Sequence, residues 1–159
     1  MNLDFFSIMK SNIETDQMPI ILESLKTCKN IKFLNLSENC LKNNSNCLAS
    51  TLKELNFIEV AALNNCLIGQ KEISNILTEL KDKLFIKELY LSGNEIGDEG
   101  MKYMKNNLTN EFVGLRALNL AENNIYIQGA EFLSHFLKSK FQLQYLRLGN
   151  NKIRAKGLS

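Results

Sequence analysis

The chain is 159 residues long, enough for one domain with a sizeable core. Its 45% hydrophobic and 23% charged residues match the averages of folded domains, which excludes a disordered chain. Nineteen basic against seventeen acidic residues leave a net charge of +2, too mild for the concentrated basic face of a nucleic-acid binder.

The chain opens MNLDFFSIMK, without the basic start and long apolar run of a secretory signal. No later stretch reaches the roughly 18 apolar residues of a membrane span. The expectation is a cytoplasmic protein with no membrane contact. The Asn-x-Ser/Thr triplets beginning at Asn35, Asn43 and Asn107 are then chance matches. Cys28, Cys40, Cys47 and Cys66 form no C-x-x-C pair and read as reduced thiols rather than as a disulfide or metal site.

The first apolar positions are Leu3, Phe6, Ile8 and Ile13, followed by a helical stretch MPIILESLKTCK. At Ile31 a pattern begins: Ile31, Leu34, Leu36 and Leu41, with Asn39 between the last two. It returns as Ile58, Ala61, Leu63, Cys66, Ile68, and then as Ile86, Leu89, Leu91, Asn94, Ile96. Two further rounds are Leu115, Leu118, Leu120, Asn123, Ile125 and Leu143, Leu146, Leu148, Asn151, Ile153. The third member falls at 36, 63, 91, 120 and 148, in steps of 27, 28, 29 and 28. Stepping back 28 from Leu36 lands on Ile8, with Ser11 in the asparagine's place. One repeat domain over 1–159 follows, with repeats near 3–30, 31–57, 58–85, 86–114, 115–142 and a truncated 143–159.

Within each unit the L-x-L core alternates as a short half-buried strand must, and an asparagine turn and a helical stretch follow. QKEISNILTELKDKL from Gln70 and GAEFLSHFLKSK from Gly129 carry apolar residues at three- and four-residue spacing. One unit cannot bury its own apolar face, so neighbours stack around a continuous core.

These units resemble the ribonuclease-inhibitor-type leucine-rich repeat, L-x-x-L-x-L-x-x-N/C-x-L followed by a G-A/M-x-x-L helix, above all at Ile86–Leu108 and Leu115–Leu137. That family includes the sensor ends of innate immune receptors (NLR proteins) and effectors that some intracellular bacteria deliver into host cytosol. The resemblance implies an α/β leucine-rich-repeat solenoid, a horseshoe of about six repeats with an inner parallel sheet and outer helices. It also implies that the inner sheet holds a protein ligand. Two departures are Ala61 in a leucine position and the repeat at 31–57, one residue short and without a glycine opening its helix.

Asn39, Asn94, Asn123 and Asn151 share one column with Cys66, where their side chains can satisfy backbone groups left open as strands turn out of the sheet. The single histidine, His135, sits mid-helix, four residues after Glu131, and no phosphate-cradling glycine motif occurs. Gly93, Gly97 and Gly100 read as turn and helix-start residues of one repeat. No enzyme, metal or cofactor is expected.

If the leucines point inward, the residues between them line the concave face. One row is Phe5, Phe33, Val60, Glu88, Ala117 and Tyr145; the next is Ser7, Asn35, Ala62, Tyr90, Asn119 and Arg147. Beyond the strands lie Lys10, Glu38, Asn65, Gly93, Glu122 and Asn150. From these, Phe33, Asn35, Glu88, Tyr90, Asn119, Glu122, Tyr145 and Arg147, together with Arg116, form the candidate protein-binding surface. Aromatic and arginine side chains are the usual anchors of interfaces. The plainer reading is that such aromatics pack on one another as cross-strand neighbours. For Tyr90, Tyr145 and Arg147 binding is the stronger reading, because Ala62, Gly93, Ala117 and Ala121 leave a shallow floor beside them.

Six strands about 4.8 Å apart and about 13 Å long cover only roughly 300–400 Å², against about 800 Å² per partner in a standard interface. The loops after each asparagine, including a Lys42–Asn46 insert, or one lateral edge, are therefore expected to touch the partner too. NKIRAKGLS stops where earlier units run on into helices, so the sixth unit lacks an outer layer: either the chain is a piece of a longer one or a partner covers that end. An uncovered edge at Leu143–Leu148 would be a pairing hazard.

The function that follows is a protein–protein interaction module that masks or inhibits its partner, as a bacterial effector or effector regulator would. The alternative is the targeting or sensor segment of a larger protein whose catalytic or signalling domain lies outside this chain. A nucleic-acid solenoid is the third reading, and binding insensitive to salt would rule it out.

Overall fold

The computed structural model describes residues 3–108, 110–140 and 142–153. Among these residues six three-residue strands alternate with five α-helices. The strands are β1 (Phe5–Ser7), β2 (Phe33–Asn35), β3 (Val60–Ala62), β4 (Glu88–Tyr90), β5 (Ala117–Asn119) and β6 (Tyr145–Arg147). They form one parallel sheet in chain order, each strand paired with the next in the same register. The helices are α1 (Met18–Leu25), α2 (Ser45–Glu54), α3 (Gln70–Leu80), α4 (Gly97–Asn107) and α5 (Ile127–Leu137). This is a leucine-rich-repeat solenoid.

The middle residue of each inner strand points inward and is buried: Leu34, Ala61, Leu89 and Leu118. Leu36, Leu63, Leu91 and Leu120 join them two residues later, and each helix adds its own column, as with Ile73, Ile76, Leu77 and Leu80 of α3. Strands sit about 4.8 Å apart while packed helices need about 8–10 Å. That mismatch bends the stack, with the sheet on the inside.

Helix starts are tied down locally and from the neighbouring repeat. The Glu72 carboxylate accepts the Gly69 N–H at 3.1 Å ahead of α3. The Asp98 carboxylate accepts the Tyr126 N–H at 2.7 Å ahead of α5, one repeat away. An acceptor there satisfies an open donor and suits the positive end of the helix.

Helix ends differ from what periodicity suggests. The apolar spacing runs α1 on to Lys29, α3 to Leu84 and α5 to Lys140, whereas the backbone leaves the helix at Leu25, Leu80 and Leu137. At each of these places a residue three past the helix donates back over a tight turn: Cys28 to Leu25, Lys83 to Leu80 and Lys140 to Leu137. The donor's side chain is buried each time, and Leu55 and Phe112 occupy the same position in the other units. The chain must swing inward there to reach the next strand.

The Lys42–Asn46 segment is not a loop insert. Lys42–Asn44 makes a 3-10 turn that runs directly into α2 at Ser45, and the Asn44 amide donates to the Thr15 carbonyl at 3.0 Å, holding the shortened repeat to the one before it. Residues 154–159, on which the truncated last unit turns, lie outside the described residues.

Candidate functional site

The asparagine column carries the turns out of the sheet. Asn94 Nδ2 donates to the Leu63 carbonyl at 2.8 Å and to the Leu91 carbonyl at 2.9 Å. Its Oδ1 accepts the Cys66 and Ile68 N–H groups at 3.0 Å each, so one side chain ties its own turn to the previous repeat. Asn39, Asn123 and Asn151 repeat the arrangement. Cys66 keeps only the donor half, its Sγ donating to the Leu36 and Asn64 carbonyls at 3.3 Å. Burial pushes this thiol up to about 11, so it stays protonated near neutrality and is a donor, not a nucleophile.

Each strand then turns through a left-handed residue: Lys10, Glu38, Asn65, Gly93, Glu122 and Asn150 all have positive φ. Gly93 suits the position without strain, and a side chain there would run into the Asn65 carboxamide of the previous repeat.

On the inner face the two strand rows stand in register across all six strands. At the N-terminal end Phe5 and Phe33 stack face to face, ring centres 4.4 Å apart and planes 6° from parallel. The rings thus pack on one another, as the plainer reading expects, yet Phe5 remains 58% exposed. Val60 continues this apolar row, and Asn35, in the second row, turns its Oδ1 to the Ser37 N–H at 3.0 Å.

Toward the C-terminal end the face becomes polar and hollow. Glu88, Tyr90, Ala117, Leu118, Asn119, Tyr145 and Arg147 line an open recess of about 400 Å³. β4 supplies one wall, β6 the other, and the small Ala117 on β5 leaves the floor low. The Tyr90 hydroxyl donates to the Glu88 carboxylate at 2.6 Å. That bond, with burial and the carboxylate's charge, pushes the phenol up to about 12 against a smaller opposing pull from Arg147. Tyr145 is 68% exposed.

Two of the nine sequence-selected residues stand apart from the recess on this side. Arg116 precedes β5 and is exposed at the strand entrance, in line with the Asp4–Lys32 and Glu59–Lys87 ion pairs of earlier repeats (3.3 and 2.6 Å). Glu122 sits in the left-handed turn beyond β5, where its carboxylate accepts from Asn150 Nδ2 at 3.4 Å. Phe33 and Asn35 belong to the other end of the face. The recess therefore gathers Glu88, Tyr90, Asn119, Tyr145 and Arg147.

Two features escape the sequence selection. Phe5 is visible only as the neighbour of Phe33 in its row. The second is an apolar lateral edge where helices return to strands: the Phe57 and Phe85 rings lie 5.8 Å apart, Leu84 is 89% exposed, and Leu84 and Val113 line one shallow cleft.

A Leucine Rich repeat family profile matches residues 84–105. Over 140 residues the chain is 34% identical to the mouse (Mus musculus) NACHT, LRR and PYD domains-containing protein 14, covering 85% of this chain and 14% of that protein. The human (Homo sapiens) NACHT, LRR and PYD domains-containing protein 2 is 26% identical over 159 residues, 99% of this chain and 15% of its own length. Mouse ribonuclease inhibitor is 29% identical over 100 residues, 63% of this chain and 22% of that protein. The chain is a ribonuclease-inhibitor-like leucine-rich-repeat protein. Among solved structures, Leiomodin-1 Actin-Binding Site 2 (ABS2) superposes with a TM-score of 0.67 at 18% identity, over 91% of this chain and 83% of that one, a likeness of fold. The repeats span only 14–22% of the curated relatives just named. Leucine-rich solenoids in general offer an extended concave binding surface.

Proposed function

We propose that this leucine-rich-repeat chain binds a protein partner through its concave face and masks the surface it covers. The observation that carries this reading is the recess between β4 and β6, walled by Tyr90, Tyr145 and Arg147 and floored by Ala117. An open hollow with aromatic and arginine walls suits a protruding part of another protein. The inner face alone is small: six three-residue strands span about 10 Å by about 24 Å. The exposed edge at Phe57, Leu84, Phe85 and Val113 adjoins the strand entrances and extends the footprint.

Affinity capture by the chain, followed by mass spectrometry, tests this. The Tyr90→Ala/Tyr145→Ala/Arg147→Ala variant is expected to lose the partner retained by the parent. A partner held equally by both places binding elsewhere. A second reading is favoured by the relatives' length: the repeats act as the sensing segment of a longer protein, in which case the captured partner releases or holds a neighbouring domain rather than being inhibited itself.

A further inference from the structure

We propose that the recess over Ala117 is a seat for one carboxylate side chain, an aspartate or glutamate on the partner protein, held by Arg147 and Asn119. This rests on the concave-face reading and gives it a chemistry.

The polar groups of the recess are not equally free. Glu88 is engaged by the Tyr90 hydroxyl at 2.6 Å, which spends that tyrosine's only O–H. Asn119 has its Oδ1 committed to the Ala121 N–H at 3.1 Å. A carboxamide anchored through its oxygen leaves the NH2 end open, so Asn119 offers donors only. Arg147, on the next strand in the same row, is exposed and makes no ion pair among the described residues. The other acidic group of this end, Glu122, is turned to Asn150.

The upper half of the recess is therefore a place of convergent donors, where Arg147 makes no ion pair among the described residues and the charged Glu88 carboxylate on the β4 wall is turned to the Tyr90 hydroxyl. A planar carboxylate matches a guanidinium in two parallel bonds, and the neighbouring amide can supply another. Ala117 matters because a larger side chain would fill the space the incoming group needs. Tyr145 stands over the same floor as an exposed ring against which the carrier's aliphatic stem can lie. The recess, about 400 Å³, accommodates one side chain with its flanking backbone.

Peptide display tests the assignment. A randomised library is selected on the parent chain and on the Arg147→Glu and Arg147→Lys variants, and bound peptides are mapped by amide shift changes. The expected result is an Asp or Glu fixed at one position of the selected peptides. Those peptides should bind the Arg147→Glu chain at least about tenfold more weakly, and Arg147→Lys should recover part of the loss. Selection on Arg147→Glu should instead fix Lys or Arg at that position. Peptides that map to β4–β6 without a fixed acidic residue, or that bind Arg147→Glu unchanged, overturn the carboxylate seat and leave the concave-face reading standing. Binders that map only to the helices, or none at all, overturn both.

Discussion

At Asn94 a single carboxamide makes four bonds of 2.8 to 3.0 Å, all to backbone and all buried. Asn94→Ala strips partners from groups that water cannot reach, and should cost about 3 kcal/mol in urea unfolding. Cys66→Ala removes one weak thiol donor in the equivalent place and should cost about 1 kcal/mol. An equal loss in both would mean that the column fills space rather than satisfying backbone. Tyr90 gives a pH signature. Its phenol is held protonated in the fold up to about 12, against an ordinary value near 10. Above pH 10 the unfolded chain has given up that proton while the folded chain keeps it, so the stabilisation is whole below pH 10 and fades between about 10 and 12. Tyrosinate absorbance should show a late step near pH 12, and Tyr90→Phe should remove it. The lysines show where a sequence conceals its structure. Lys83 and Lys140 look like surface charge in KDKL and KSKF, yet each stands three residues before a core apolar residue, where Cys28, Leu55 and Phe112 are buried. Lys83 Nζ donates to the Lys53 carbonyl at 2.7 Å, and desolvation lowers its pKa. The long stem is buried and the charged tip finds a helix end, a role that composition does not reveal.

At the scale of the element, the turns after the asparagines hold two kinds of left-handed residue. Leu67 has a φ of 56° and is 47% exposed, while Asn12 and Asn124 stand at the same place in other repeats with φ of 48° and 55°. An L side chain pays roughly 1–2 kcal/mol in that region, less for asparagine. Leu67→Asn should therefore stabilise the chain by about 0.5 to 1 kcal/mol, read as a higher midpoint in thermal unfolding. A lower midpoint would mean that the exposed leucine makes an unrecognised contact. The strands were fully legible, because alternation of L-x-L fixes which residues face in, and a slip by one residue would expose every leucine. The helix ends were not, because apolar spacing continues through the tight turns at Cys28, Lys83 and Lys140. Nor was the left-handed row, since glutamate at 38 and 122 gives no sign of the positive φ that Gly93 betrays. The recess was half legible: the row assignments placed Tyr90, Asn119, Tyr145 and Arg147 side by side, but which polar atoms were already engaged required the fold.

At the scale of the molecule the column ties each repeat to the one before it, asparagine crossing four of the five boundaries and the Cys66 thiol the one between the second and third. Opening is then expected to begin at the ends and move inward. Amide deuterium uptake should be slowest in β3 and β4 and faster in β1 and β6; uniform uptake across the sheet would mark a single cooperative unit. The recess lies across this gradient. Its Tyr90 wall belongs to β4, paired on both sides, while its Tyr145 and Arg147 wall belongs to β6, which has one neighbour in the sheet among the described residues. A group seated over Ala117 would act as a clasp between the two. It would slow exchange at the Gln144 and Tyr145 amides, which donate to the Arg116 carbonyl at 2.8 and 2.9 Å, without touching either of them. Exchange in β6 would thereby report whether the seat is filled.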